Sequence, residues 1–419
     1  MPDVVTPIAM PASGDLPPVI PADWAYQVVV ATSYQTIVSR SATTLTEERR
    51  ALSLRPTRDI RVALTGMSQP ETWRLETFLK KRVRSRGPVP LHCDQSEVTA
   101  SSTGTTINCD TTFRRFYAGG RVLIYKPWSS GVASVSQADV AEYALIDSLT
   151  ASALTLKAAG VTNTYPAGSI VMPVIDAEAS LDGGILSLVT DRVGSAEISA
   201  NEILAPSALP QSESGDPSGF DTHTDGHPIL YMDPDWDSMQ EVRLTHDGVS
   251  DTAGRTNYVW LQGPEHRTGH RLVFSALDRE NADSLRRFFD TRVGMLKPFW
   301  LVSPQTLFTL IARPGALDME LTEFFDLAAL GHIAIVMKDG TVTIHEVDTT
   351  SVTSGMRRIT VLPTPPAFAV ADVERISPAH FVRFGQDTLT ETWDTDGVCT
   401  IELETLELVA EQSVTITDA

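Results

Sequence analysis

Residues 61–90 read RVALTGMSQPETWRLETFLKKRVRSRGPVP, and residues 271–300 read RLVFSALDRENADSLRRFFDTRVGMLKPFW. The two stretches align without a gap, each residue of the second standing 271 − 61 = 210 positions after its match. Arg61 falls on Arg271, Leu75 on Leu285, Phe78 on Phe288, Arg82 on Arg292, Val83 on Val293 and Pro88 on Pro298. A long-period repeat decides architecture before any local feature does, and two copies predict a pair of similar domains rather than a solenoid.

Both copies carry the same local signals. A short apolar run, Arg61 to Leu64 or Arg271 to Phe274, predicts a strand. A helix start follows. Ser68 and Glu71 form an S-x-x-E capping box with Pro70 in the first turn, and Asp278 can cap the second copy. Apolar groups then recur at helical spacing: Leu75, Phe78, Leu79 and Val83 in one copy, Ala282, Leu285, Phe288, Phe289 and Val293 in the other. Pro88 and Pro298 end the helices. These aromatics pack a helix on a sheet.

Downstream, the first half has GGRVLIYK from Gly119, YALIDSLTASALTL from Tyr143 and YPAGSIVMPV from Tyr165. The second has GHIAIVMKDGTVTIHEV from Gly331, RRITVL from Arg358 and AFAVADVERI from Ala367. β-Branched runs broken by Gly, Pro, Asp and Ser predict short strands. Each half closes on a strand pair: ILSLVTDRV with AEISANEIL, and HFVRFGQDTLTETWD with VCTIELETLELVA. Asp394 and Asp396 before Gly397 fit a hairpin turn. The expected fold is mainly β, two β-barrel or β-sandwich domains with one prominent helix each, at 25–206 and 254–412. Residues 207–253 read as an irregular insert or linker, because the stretch from Pro206 to Gln240 is rich in Ser, Pro, Gly and Asp. Residues 1–24 read as a proline-rich extended arm, and 413–419 as a tail.

The 419 residues suffice for two cores. No apolar run is long enough to span a membrane, and the first residues lack the charged-then-apolar pattern of a secretory leader. Cys93, Cys109 and Cys399 are too few for a disulfide framework. Cys93 and Cys109 can in principle pair, with reduced thiols favoured.

Net charge is −20, and it is uneven. Residues 1–206 hold 18 Lys and Arg against 20 Asp and Glu; residues 207–419 hold 15 against 33. An acidic surface disfavours binding DNA through its phosphates. It serves solubility, and it also suits a wall past which DNA slides. Against this background Lys80, Lys81, Arg82, Arg84 and Arg86 stand out at the end of the first helix. Helix-dipole complementation explains part of the cluster. A docking patch for an acidic neighbour is the functional reading, and direct DNA contact ranks last.

No glycine-rich phosphate loop, G-x-S-x-G, H-E-x-x-H or C-x-x-C is present. No catalytic residue or cofactor is therefore expected. Asp233, Asp235 and Asp237 have the spacing of a calcium-loop start, but Ser238 and Leu244 replace the required Gly and Glu, so a solvated turn is favoured. His223, Asp225 and His227 place ligand-type residues at alternate positions without a third compelling ligand.

The chain resembles the tail-tip proteins of long-tailed bacteriophages, the distal tail and baseplate-hub group. The segments that carry the resemblance are FFDTRVGMLKPFWLVSP (288–304), AGGRVLIYK (118–126), YPAGSIVMP (165–173) and LTETWDTDGVCTIELETLEL (389–408). YQTIVSRSATTLTEERRALSLRPTRDI (34–60) is similar to the opening strands of such proteins. The first copy departs from the family's Pro-Phe-Trp, reading Pro88-Val89-Pro90. The resemblance implies a virion structural protein made in the host cytoplasm. It would form a homo-oligomeric ring that continues the tail tube, meet the tube protein and the tip and receptor-binding proteins, and let DNA pass without specific binding. Tail tubes are sixfold, so three copies with two tube-like domains each would close a pseudo-sixfold ring; a hexamer of the whole chain is the alternative. The rival classes are a carbohydrate- or receptor-binding module, which needs exposed aromatics over a groove, and a wall-degrading hydrolase, which needs two facing carboxylates with perturbed acidities.

Overall fold

Alternation builds the strands. In Cys399–Glu407 the side chains of Cys399, Ile401, Leu403 and Thr405 are buried, while those between them face outward, as a strand with one covered face requires. The computed structural model describes residues 24, 26–40, 47–69, 72, 73, 75, 76, 86–126, 141–158, 160–190, 193–203, 220–234, 241–245, 248–253, 256–261, 267–305, 308–322, 331–353, 356–408, 416 and 417, and they are mainly β.

The first half contributes β1 (Val28–Arg40), β2 (Glu47–Ser68), β3 (Arg86–Pro90), β4 (Arg121–Tyr125), β5 (Ala141–Thr150), β6 (Ala153–Leu156), β7 (Ile170–Leu188) and β8 (Val193–Glu202). The second contributes β9 (Glu241–Thr245), β10 (Gly248–Ala253), β11 (Thr256–Leu261), β12 (Arg267–Leu277), α1 (Arg279–Arg292), β13 (Phe299–Val302), β14 (His332–Met337), β15 (Val342–Thr353), β16 (Met356–Leu362), β17 (Val373–Phe384), β18 (Thr388–Trp393) and β19 (Cys399–Glu407). One antiparallel sheet crosses both halves in the order β7–β8–β2–β1–β18–β19–β12–β9. Its middle joint is β1 of the first half on β18 of the second, from Val28↔Trp393 to Ser33↔Thr388.

The ladders of the two halves share their registers. In the first half β2 and β8 pair Ile60↔Ala200, Val62↔Ile198 and Leu64↔Ala196, then shift before Met67↔Gly194. Adding 210 to the β2 numbers and 205 to the β8 numbers gives His270↔Thr405, Leu272↔Leu403 and Phe274↔Ile401, then a shift before Leu277↔Cys399. Those are the pairs of β12 with β19. Likewise Ala177↔Glu202 becomes Val382↔Glu407, and Val29↔Arg61 becomes Glu241↔Arg271 on adding 212 to the first number. The bulge between Ile146 and Ser148 in β5 recurs between Val347 and Thr349 in β15. Two satellite cores correspond position by position, at offsets of 212, 211 and 205: Val98, Ile107, Val122, Ile124, Leu154 and Val171 in one half, Leu310, Met319, Ile333, Ile335, Ile359 and Ile376 in the other. A third, shared core runs beneath the cross-half sheet.

α1 begins at Asp278, whose carboxylate accepts from Asn281 N at 2.8 Å. It ends at Val293 with φ 54°, before Gly294 with φ 60°. A Cβ at Gly294 would lie 2.6 Å from the Asp387 carboxylate, so both conformation and space demand glycine there. Phe288 packs edge-on to Phe299 and Phe384 with ring centroids 5.0 and 6.2 Å away. In the first copy residues 69, 72, 73, 75 and 76 are helical and Leu75 is buried; Pro70, Glu71 and Phe78 lie outside the described residues.

Several expectations need correction. Residues 241–245 and 248–253 are not part of an irregular insert: they form β9 and β10, paired with β12 and β11. The turn-rich sequence on either side hid two short strands. The offset of 210 does not persist past the helix, because Gly87 and Phe299 occupy equivalent rungs on β7 and β17, an offset of 299 − 87 = 212. Pro88 thus matches Trp300, not Pro298. Arg86 is not at a helix end but opens β3, opposite Glu178. Within the expected C-terminal tail, Ile416 and Thr417 pair in parallel with Arg49 and Arg50.

Candidate functional site

The 220–234 segment belongs to the second half. Ile229 and Leu230 pair in parallel with Trp300 and Leu301. Asp225 is its anchor: its carboxylate accepts from Trp300 Nε1 at 2.9 Å and from His227 N at 2.9 Å, and lies 3.0 Å from His223 Nδ1. Burial pushes the Asp225 carboxyl up, but these hydrogen bonds outweigh it and hold it below its usual value. His223 and His227 lie edge-on or tilted against Trp300 and Phe381, with centroids 5.1 Å away in each case. The trio thus fastens a loop to a tryptophan.

Asp233 pairs with Arg375 at 2.5 Å, and that guanidinium lies 5.1 Å from the Tyr231 ring. Asp235 and Asp237 lie outside the described residues. Among the described residues no group of three His, Cys, Asp or Glu side chains could hold a metal. Lys80, Lys81, Arg82 and Arg84 also lie outside the described residues. Cys93, Cys109 and Cys399 are free and buried, and burial pushes the Cys93 and Cys109 thiols up to about 12. The Asp394–Val398 turn joins β18 to β19 through Asp394 N donating to Val398 O at 3.0 Å.

A groove on the second half is lined by Thr388, Thr390, Thr392, Thr400, Glu402 and Glu404. Its two carboxylates are already engaged. Glu402 binds Arg271 at 2.5 Å and Glu404 accepts from Gln386 at 2.6 Å. Val273, Phe289, Phe384 and Leu403 line the groove as well, so its surface combines hydroxyls and occupied acids with apolar side chains.

The most concentrated chemistry lies under the joint between the halves. Arg115 of the first half reaches Asp94 at 2.9 Å and Glu391 of the second at 2.5 Å. Arg279 at the start of α1 reaches back to Asp94 at 3.1 Å and covers the Trp393 ring at 4.9 Å. Arg286, one helical turn from its partner Asp283, stands 3.7 Å from the other Glu391 oxygen. Trp393 Nε1 donates to Glu391 at 3.2 Å. Asp94 and Glu391 are fully buried, so every charge here must be matched. Burial pushes the Asp94 carboxyl up; the guanidiniums of Arg115, Arg286 and Arg279 more than reverse that and hold it at about 2. Arg287 joins through Asp283 at 2.7 Å, so four guanidiniums and three carboxylates form one connected set that spans both halves. The sequence signalled only the local part, the Asp283–Arg286 spacing on one helix face. Nothing in it linked Arg115 to Glu391, 276 residues away.

No protein-family model matches the chain, and no curated protein matches its sequence.

Proposed function

We propose that this chain is a structural protein of the distal tail of a long-tailed bacteriophage, built from a duplicated tube-like β module. It forms a ring that continues the tail tube and joins it to the tip and receptor-binding proteins. The observation that carries this reading is the cross-half sheet, in which two four-strand sets with equivalent registers stand side by side. A set that repeats by a fixed step within one chain is the geometry of a wall built by rotation. The segments behind the family resemblance form this same framework: 118–126 covers β4, 165–173 leads into β7, 288–304 runs from α1 through β13, and 389–408 is the β18–β19 hairpin.

In this role the protein is not an enzyme and needs no cofactor. DNA passes through the lumen without specific contacts. Among the described residues no helix is long and apolar enough to cross a membrane. The basic cluster Lys80, Lys81, Arg82, Arg84 and Arg86 docks against an acidic surface of the second half, of the same chain or the next, and sets register more than affinity. Antibody labelling of tailed particles tests the assignment. Label at the end of the tail far from the capsid is expected; particles that carry the protein elsewhere, or lack it, overturn it.

A further inference from the structure

The joint between the halves exists once inside the chain, and its two components exist a second time without each other. The first component is β1, whose equivalent is β9. The second is β18, whose equivalent is residues 183–188 at the end of β7. The shared registers give the numbers: 212 is added to β1, and 205 is subtracted from β18. Among the described residues, β9 pairs with β12 alone and 186–188 with β8 alone. These are the two ends of the eight-strand sheet.

Side chains on the first half mark its end as a covered position left open. Leu188 stands where Trp393 does, 393 − 205 = 188. Trp393 is 0% exposed beneath the first half, whereas Leu188 is 70% exposed and Val189 beside it 66%. Trp73 stands where Asp283 does, 283 − 210 = 73; it is 65% exposed against 4%. No other large apolar side chains among the described residues are as exposed as these three. Where the internal joint has the ionic set of Glu391, Arg279 and Arg286, the open end has Leu186, Gln69 and Glu76. The buried ionic set of the internal joint is thus not repeated at the open end, where Leu188 and Val189 are exposed instead, as suits a joint made after folding between separate chains.

We infer that β9 of one copy adds to residues 183–188 of a second copy in the register of the internal joint. Val29↔Thr392 becomes Glu241↔Ser187, and Val30↔Glu391 becomes Val242↔Leu186. The contact is β-strand addition, whose backbone hydrogen bonds cap two sheet edges that would otherwise invite unspecific pairing. One further position agrees. Asp387 locks the internal joint by accepting from Thr36 N at 2.6 Å, while its own carbonyl accepts from Tyr34 N at 2.9 Å. Its counterpart in the sequence is again an aspartate, Asp182, and that of Thr36 is Gly248. The interface is heterologous, head to tail, so it propagates until it closes. It deepens the ring reading and is carried by the registers together with the exposed Leu188 and Val189.

Cysteine cross-linking of the full chain tests it. Ser187→Cys and Glu241→Cys are made in separate chains, mixed and oxidised. The double variant Val29→Cys/Thr392→Cys, at the same rung of the internal joint, shows whether that rung accepts a disulfide. Expected are cross-linked dimers from the mixture, none from either variant alone, and at least a fivefold lower yield when Arg243→Cys replaces Glu241→Cys. Leu188→Glu should abolish the oligomer on a sizing column while the monomer keeps its melting temperature. An internal control that closes while the mixed chains stay monomeric overturns the inference, as does an oligomer unchanged by Leu188→Glu. Failure here leaves the tail labelling untouched, and failed labelling leaves the cross-link untouched, so the two readings fall separately.

Discussion

Arg115 is the residue on which the two halves turn. It is buried between Asp94 and Glu391, one from each half. Removing one member of a buried ionic set strands the others, so Arg115→Met should cost about 3–5 kcal/mol of stability in urea unfolding. A cost under about 1 kcal/mol would show that water replaces the guanidinium freely. Two other residues separate cleanly by pH. His270, buried beside His380, is held at about 4, chiefly by burial and then by that neighbour. Its unfolded form takes up a proton near 6.5, its folded form only near 4, so the unfolded state binds more protons in between. Stability is therefore full above about 6.5 and falls as pH drops toward 4, by on the order of 3 kcal/mol. His345, also lowered by burial, acts in the same direction. Asp94 is depressed in the folded state, so its contribution is present above its ordinary value near 3.8 and is lost as pH falls toward 2. Replacing His270 with Phe should flatten the denaturation midpoint between pH 6.5 and 4 and leave the loss below pH 4 in place. An unchanged slope would mean that His270 is protonated in the folded protein.

At the scale of elements, α1 was legible and its surroundings were not. Asp278 and the spacing of Leu285 and Phe288 fix start and face by local rules, whereas the end is set not by Pro298, as expected, but by Val293 and Gly294 at positive φ. Asp278→Ala should cost about 1 kcal/mol. Phe288→Ala, which opens a void between Phe299 and Phe384, should cost about 3–5 kcal/mol. Both are read from chemical denaturation, and equal small losses would show that the helix is not docked as described. The alternating strands β18 and β19 were legible for the same reason, one face being covered. β9 and β10 were not. EVRLT and GVSDTA are short and polar, and they become strands through β12 and β11 rather than by their own propensity. The shift from 210 to 212 after the helix was equally hidden, since loop length between a helix and a strand leaves no periodic trace. The charged seam was invisible for a simpler reason: Asp94, Arg115 and Glu391 meet only once the halves dock.

At the scale of the whole molecule, the proposed joint between copies would repeat the strand pairing that the registers of β1 and β18 show inside the chain. A closed ring then contains an even number of halves. Three chains supply twenty-four strands, eight from each. With strands about 4.8 Å apart and tilted by about 40°, the backbone wall would be about 45–50 Å across. Six chains would double that width, so on the proposed role as a continuation of a sixfold tail tube the trimer is the expected ring. The charge split gives assembly a direction, because 33 of the 53 acidic residues fall in residues 207–419 while the basic cluster lies in the other half. Reversing Lys80 and Lys81 to Glu should slow ring formation and remove much of its salt dependence, leaving the strand joint intact. The decisive measurement is symmetry together with mass. Three 45.5-kDa chains, about 140 kDa, should form particles with threefold averages that look sixfold at low resolution. A true sixfold particle of about twice that mass would remove the trimer. A ring whose neighbouring halves meet through surfaces other than β9 and 183–188 would remove the shared joint, even at the right mass.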